Sequence, residues 1–545
     1  MVGSHFGAVS VAAWRGLKER TLATRRVVRC VVVGAVALFA VPIGAQLAAP
    51  AEPSQVAQTA SVVCASKSGE RQSCPADTSA GVALARSTGP AACLLGKTWG
   101  YDDQGVWVSD GCGGEFILGQ TSSSVPDVHG VLEDKPTLAS RLAQEPERSS
   151  YGAFDASGTG FLVGRTEYGE LRIGGYALVR YINQLPAEQE FTDHLGNVHA
   201  IDTRKDIQFH RAMVHFRGWL FSPKFRYQIT AWTVQSTDQT TLYGFMGYQF
   251  HKTFNLYAGT NGIGGSRSLY GSHPFWLAND RVMADEFFRG AFTNCVWVNG
   301  EVAPGLWYSL AVGNNLSNLG ITAKQLNRDL ATGGSMWWMP TTHEFGPNGS
   351  YDDWEYHEQV ATRFGFSTAE SREDRQELAD STPENTQVRL ADSLALFDTG
   401  SLATGVTVNE ADVRLLSVDA GMKYRGIFLE AELYQRWIDG FNATGPIPVT
   451  QIVDKGFYVQ AAFYPIKKKL ELYGATSWVY GDEDAGFATS HEYLVGGNIF
   501  WFNSRNIRSN VQVIRVDRSP ASSTFGFYVG GQKGTTVSVA TSFLF

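Results

Sequence analysis

The sequence predicts an all-β protein: a transmembrane, antiparallel up-and-down β-barrel of about 16 strands, preceded by a small N-terminal β module containing disulfides. Three observations predict it. From Leu171 to Phe545 the chain falls into segments in which apolar and polar residues alternate, the period-2 signature of strands with two unlike faces. The connections between those segments are alternately tight and long, as they are when successive hairpins turn at opposite ends of one barrel. Aromatic residues gather beside the tight connections, where a headgroup zone favours rings with an apolar body and a polar edge.

The chain has 545 residues, a formal charge of −8 at pH 7 and 12% aromatic residues, which suits one large domain with a small one. The acidic balance excludes nucleic acid as a partner, since phosphate neutralisation needs a basic face. Arg25, Arg26 and Arg29 precede the apolar run Val31 to Ala40, and small residues follow. Residues 1–51 therefore read as a signal peptide, with cleavage after Ala45 or Ala51. The surroundings of Arg25 and Arg26 fit a twin-arginine signal poorly, so ordinary secretion is expected. No later window offers the roughly 18 to 20 apolar residues of a membrane-spanning helix, so this chain can cross a bilayer only as strands.

Residues 61–120 hold Cys64, Cys74, Cys93 and Cys112. Four cysteines allow three pairings, of which Cys64 with Cys74 and Cys93 with Cys112 is the simplest; zinc is the alternative, although no C-x-x-C pair occurs. In an oxidising periplasm two bridges would hold a module too small to build much core. Its second half, CLLGKTWGYDDQGVWVSDGCGGEF, resembles a small bacterial domain family with no established function. The recurring features are Cys93, the run Trp99-Gly100-Tyr101-Asp102, the run Gly105-Val106-Trp107-Val108, and Cys112. Trp99, Tyr101 and Trp107 either pack on the bridges or form a glycan-binding face. Residues 121–157, rich in Ser, Pro, Glu and Asp, read as a linker, and residues 158–545 as the barrel.

Within the barrel Leu171, Ile173, Ala177, Val179 and Tyr181 share one face, against Arg172, Gly174, Tyr176 and Arg180. Arg211, His215 and Arg217 oppose Ala212, Val214 and Phe216; strict alternation puts His210 on the face opposite His215. Arg226, Gln228 and Thr230 oppose Tyr227, Ile229 and Ala231. Phe428, Glu430, Glu432, Tyr434 and Arg436 oppose Ile427, Leu429, Ala431 and Leu433. In the last strand Val537, Val539, Thr541, Phe543 and Phe545 oppose Ser538, Ala540 and Ser542.

Tight turns fall at Phe221 to Lys224, Phe250 to Thr253, Glu301 to Gly305, Tyr424 to Gly426, Pro465 to Lys469 and Phe502 to Asn506. Long connections fall at Asn183 to Lys205, Ile263 to Arg289, Leu316 to Gly334 and Ala369 to Ala411. His343 to His357 stands where a short turn is due and is too long for one. The expected aromatic girdle comprises Trp219, Phe221, Phe225, Tyr248, Phe250, Phe254, Trp307, Tyr308, Phe463, Tyr464, Phe500, Trp501, Phe502, Phe543 and Phe545.

The segments LRIGGYALVRY, IQFHRAMVHFRGWLFSPKFRYQI, DRVMADEFFRG, GLWYSLAVGNN, GMKYRGIFLEAELYQRW, GFYVQAAFYP, KKLELYG and GGNIFWFNSRNIRSNVQV run collinearly with one known family. They resemble the phosphate-selective porin O and P family of bacterial outer-membrane channels, from about Leu171 to the end. The resemblance implies a 16-stranded barrel in outer-membrane lipid, a homotrimer, and a third outer loop, here Ile263 to Arg289, folded inward to narrow the pore. It departs from the family in two ways. The loop carries Arg267, Arg281 and Arg289 beside Asp280, Asp285 and Glu286, and the strand after the lysine turn reads Tyr473-Gly474-Ala475-Thr476-Ser477 where the family often has an Arg. Phosphate preference is thereby placed in doubt.

A diffusion channel works electrostatically, through a charged ring that attracts counter-ions and releases them. The candidate pore-lining cations are Arg172, Arg180, Arg211, Arg217, Arg226, Arg363, Lys423, Arg436 and Arg508; the constriction loop adds Arg267, Arg281, Asp285, Glu286 and Arg289. Each cation has the alternative of pairing with a wall carboxylate such as Glu430 or Glu432. The expected traffic is small hydrophilic or anionic solutes, and no cofactor is called for. A barrel-wall hydrolase would need a Ser or Asp converging with a His; no serine motif accompanies His210 or His215, so an enzyme is not expected. A further reading makes the barrel an anchor for a periplasmic glycan-binding module.

Overall fold

The computed structural model describes residues 61–118 and 160–545, apart from residues 79–81, 95, 103, 187, 235–238, 270–273, 318–325, 327–328, 375–387 and 524–525. The expected signal peptide and the linker over residues 121–157 lie outside them. The chain divides into two units, the smaller within Ala37–Glu145.

That smaller unit is built from β1 (Ser61–Ala65), β2 (Arg71–Pro75), β3 (Val82–Ser87), β4 (Trp99–Asp102), β5 (Gly105–Ser109) and β6 (Gly113–Leu118). They form two three-stranded sheets, ordered β1-β6-β3 and β2-β5-β4. Disulfides join Cys64 to Cys74 and Cys93 to Cys112. The first staples one sheet to the other, and Trp99 packs 4.9 Å from the Phe116 ring in the core between them. Gly100 is required by close approach: a Cβ there would meet the Trp107 ring at 2.6 Å.

The larger unit begins with β7 (Phe161–Thr166), β8 (Gly169–Pro186) and a small hairpin of β9 (Glu190–Thr192) and β10 (Val198–Ala200). The wall continues through β11 (Lys205–Leu220), β12 (Ser222–Val234), β13 (Gln239–His251), β14 (Phe254–Gly262), β15 (Phe292–Ala303), β16 (Leu306–Gly313) and β17 (Ala331–Trp338). It is completed by β18 (Ala361–Asp374), β19 (Val408–Tyr424), β20 (Ile427–Ala443), β21 (Gln451–Ile466), β22 (Leu470–Tyr480), β23 (Thr489–Phe500), β24 (Ile507–Asp517) and β25 (Gly534–Leu544). β8 and β11 to β25, 16 strands, close an antiparallel barrel. Closure is β25 on β8, from Gly534 opposite Pro186 to Leu544 opposite Tyr176. β8 runs on past the chain's end, and β7 pairs with the remaining edge from Ile173 to Gly169.

The faces divide as the alternation predicts. On β20 Ile427, Leu429 and Leu433 are 50%, 43% and 58% exposed, whereas Glu430 and Glu432 between them are sealed inside. A water-soluble protein would do the reverse. A continuous outward skin of exposed Val, Leu, Ile and Phe is stable against acyl chains and a liability in water. The skin ends in charge at the long-loop end, where Arg372 bonds Glu410 and Asp412 at 2.9 and 2.8 Å.

Period 2 also corrects the expected girdle. Phe221, Phe250, Phe254, Phe463, Trp501, Phe502, Phe543 and Phe545 are exposed on the outside at the short-turn end. Trp219, Trp307, Tyr464 and Phe500 instead point inward and are buried, because neighbours in a strand face opposite ways and pairs such as Phe463-Tyr464 must split. A bulge corrects the histidines. The β8–β11 register slips between Phe209 and Arg211, so the buried His210 Nδ1 lies 3.2 Å from Oε1 of the inward Gln208, on the same side as His215.

Candidate functional site in the barrel lumen

The third loop at the long-loop end, residues 263–291, leaves β14 and crosses the inside of the barrel before returning to β15. Its residues carry little side-chain bulk at the exit: Gly264 and Gly265 take φ of +139° and +97°, and Gly264 lies against the Thr368 carbonyl. The loop ends in one helix, α1 (Met283–Phe288). Wall residues hold it along its length. Arg508 donates to the Trp276 carbonyl at 2.6 Å, Asn498 to the Leu277 carbonyl at 2.8 Å, and Asn279 to Asn510 at 2.8 Å. The Met283 and Ala284 amides donate to Glu492 at 2.6 Å and Ser477 at 3.1 Å. On the opposite wall Arg211 bonds Asp280 at 2.5 Å.

Arg267 is the loop's deepest anchor. Its guanidinium lies 2.9 Å from Glu430, 3.8 Å from Asp419 and 3.9 Å over the Tyr351 ring, while its amide donates to Glu432 at 2.9 Å. Such buried pairs fix position more than they add stability. Arg281 covers the Trp276 ring at 4.4 Å and donates to Ser268, near Asp285 at 3.5 Å. Asp285 accepts from Ser266 and Ser268 at 2.6 and 3.0 Å. Arg289 is forked onto Glu286 at 2.8 and 3.0 Å. All five charged residues expected at the constriction are thus engaged within the loop or with the wall.

A second inward segment was signalled only by its length. Residues 339–360 join β17 to β18 at the short-turn end and tuck into the barrel. Lys423 Nζ donates to the Phe345 carbonyl at 2.6 Å and to Ser350 at 3.2 Å. Asp352 pairs with Arg505 and accepts from the Tyr464 hydroxyl at 2.7 Å. Asp353 accepts from the Gly426 amide at 2.6 Å and pairs with His357, whose Nε2 lies 2.5 Å from Glu344. The two inward segments meet: the Tyr351 amide donates to the Phe275 carbonyl at 3.0 Å, and Arg267 to the Gly349 carbonyl at 2.7 Å.

The pore-lining candidates divide accordingly. Arg211, Lys423 and Arg508 grip the inward segments. Arg363 bonds Asp419 at 2.8 Å, and Arg436 bonds Asp454 at 2.6 Å while covering Phe287. Arg180 is buried 5.2 Å from the Phe527 ring of the connection after β24. Arg172, Arg217 and Arg226 differ, being only half-buried. Arg217 stands directly across from Arg172 on β8 and from Gln228 on β12, and Arg226 is opposite Trp219. Glu170 bonds Arg172 at 2.6 Å and lies 3.6 Å from Arg165. This cationic step lies on the wall of β8, β11 and β12 near their short turn, and the third loop reaches the same wall farther along, where Arg211 bonds Asp280.

Residues 48–137 match a family model described as a protein of unknown function, DUF3011. No curated protein matches the chain in sequence. Among solved structures the chain is similar to OmpT expressed in the outer membrane of Vibrio cholerae, at 10% identity over 70% of this chain and 99% of that one, with a TM-score of 0.45. It is also similar to an anion-selective porin from Comamonas acidovorans (12% identity, 69% and 100% covered, TM-score 0.42). A third similar structure is the outer membrane channel DcaP of Acinetobacter baumannii (11%, 71% and 99%, 0.40). The fold itself rests on the strand pairing.

In the module the three aromatics part company. Trp99 is core, Trp107 lies 3.9 Å beneath the Arg71 guanidinium, and Tyr101 is 44% exposed. His215 Nδ1 lies 2.9 Å from Thr230 Oγ1.

Proposed function

We propose that the barrel is an outer-membrane porin for passive diffusion of small hydrophilic solutes, with a modest preference for anions. One observation carries the reading: a shell that is apolar outside and charged inside, with three half-buried arginines on the wall of β8, β11 and β12. Arg172, Arg217 and Arg226 would raise the local concentration of anions in a narrow, low-dielectric passage. Phosphate selectivity has weaker support than general anion preference, since Arg267, Arg281 and Arg289 all bind the protein's own carboxylates. On this reading the signal peptide over residues 1–51 delivers the chain to the outer membrane, the cysteine module faces the periplasm, the channel is a homotrimer, and no catalytic step is involved. The test is reversal potential in a KCl gradient across a planar bilayer. Replacing Arg172, Arg217 and Arg226 together with Ala should cut the chloride-to-potassium permeability ratio by about twofold or more. An unchanged ratio would remove them from the filter.

A second reading concerns the module alone. The exposed Tyr101 ring supports a periplasmic glycan contact, with stacking as its means. Full-length protein carrying Tyr101→Ala should then be retained less on purified peptidoglycan than the parent.

A further inference from the structure

We propose that residues 339–360 are a removable plug, seated from the short-turn end, and that Arg267 couples its position to the third loop. The proposal rests on the channel reading above. Its first support is length. The other connections at that end, such as Arg425-Gly426 and Lys467 to Lys469, take one to six residues, whereas this one takes the 22 from Met339 to Val360. A hairpin between β17 and β18 does not need them, because Trp338 already faces Phe364 across the ladder.

The second support is the manner of attachment. The apolar footing is confined to Met339 at its start, to Phe345 and Tyr351 beside Phe428 at 6.4 and 6.2 Å, and to Trp354 against Phe500 and Tyr464 at 4.7 and 6.2 Å. The remaining hold is polar and comes from the barrel wall and its turns: Lys423, Gly426, Tyr464 and Arg505, each already described. Polar contacts of this kind are exchanged for contacts with water when a segment withdraws, so they can break and re-form in a way that a continuous sheet cannot. The third support is the junction with the third loop. Arg267 spans from Glu430 on the wall to the Gly349 carbonyl and the Tyr351 ring of the plug, so removing the plug strips one side of the guanidinium's surroundings. Withdrawal would clear the short-turn end of the β18–β24 sector and loosen the constriction above it.

The experiment reads the plug in two independent ways, conductance and chemical access, in outer-membrane preparations of the full chain. Access is reported by Ser350→Cys in a Cys295→Ser background, because Ser350 is sealed off when the plug is seated. Asp352→Asn should raise both the single-channel conductance, by about twofold or more, and the rate of thiol labelling at position 350, by about tenfold. Arg267→Gln should raise labelling with less effect on conductance. A third chain, in which Asn-Gly replaces residues 341–360, should conduct at the higher level permanently and guards against a misfolded point variant; heat-modifiable migration confirms that its barrel has formed. Unchanged labelling in Asp352→Asn, or unchanged conductance in the shortened chain, overturns the plug. Faster labelling in a protein that passes no current at all would leave the plug standing and overturn the channel reading instead.

Discussion

At the scale of single residues, the interior is governed by which charge finds which partner. His357 illustrates it. Hydrogen bonds to Asp353 and Glu344 push its imidazole up to about 9, while its two ring N–H groups, Nδ1 toward Asp353 and Nε2 toward Glu344, hold both carboxyls below their ordinary range despite their burial. The histidine's contribution is complete below its ordinary 6.5 and is lost as pH climbs through about 9. The carboxylates' contribution is present above their ordinary values of 3.8 and 4.5 and is lost as pH falls through their lowered ones. The plug is therefore held best from mildly acidic to neutral pH. Labelling at position 350, taken relative to a fully exposed cysteine so that the thiol's own ionisation cancels, should accelerate as pH is raised past about 9, and His357→Gln should label faster at neutral pH with no further relative rise. Lys423 and Arg425 also face this cluster, the first through its charge on Glu344 and the second through an amide donated to the His357 carbonyl. A pH dependence that survives His357→Gln would remove His357 as its source.

At the scale of elements, the strands were legible because a two-sided wall writes itself as period 2, and the partners of the inward charges were not. Arg211 could be placed on the inner face from its neighbours, but Asp280, its partner, lies 69 positions along the chain. The bulge at His210 has no signature in a pattern that expects strict alternation, and the inward Trp219 and Phe500 were drawn to the girdle by mere proximity to a turn. The third loop's inward path was implied by family resemblance, whereas the plug showed only as an over-long turn. Two element-level outcomes follow. A Cβ at Gly264 would sit 2.5 Å from the Thr368 carbonyl at a φ of +139°, so Gly264→Ala should lift the loop's exit at a cost of about 1–3 kcal/mol. Proteolysis within the third loop should quicken while the barrel's migration stays normal. Reducing Cys64–Cys74 and Cys93–Cys112 should cost the module about 2–5 kcal/mol and leave the barrel's melting unchanged, which calorimetry with and without reductant can resolve.

At the scale of the whole molecule, the decisive question is what the apolar skin touches, and β23 offers a clean place to ask it. Val495 is 62% exposed and stands five residues above Phe500 at the short-turn rim. At about 3.3 Å per residue and a tilt of about 40°, that is roughly 13 Å, half the height of an apolar band about 25 Å tall. Its strand neighbours, Gly474 on β22 and Val513 on β24, give it no inward alternative. Placing Val495→Lys there would carry a charge to the bilayer midplane, costing about 2–4 kcal/mol in unfolding from lipid vesicles. On a surface facing water the same change would be neutral or favourable, because it trades an exposed apolar side chain for a solvated one. The same lysine at Ile499, four residues nearer the rim, should cost about 1 kcal/mol or less. A denaturant series in vesicles that found the two variants equally stable would mean that depth has no bearing on cost, and that the skin does not meet acyl chains at all.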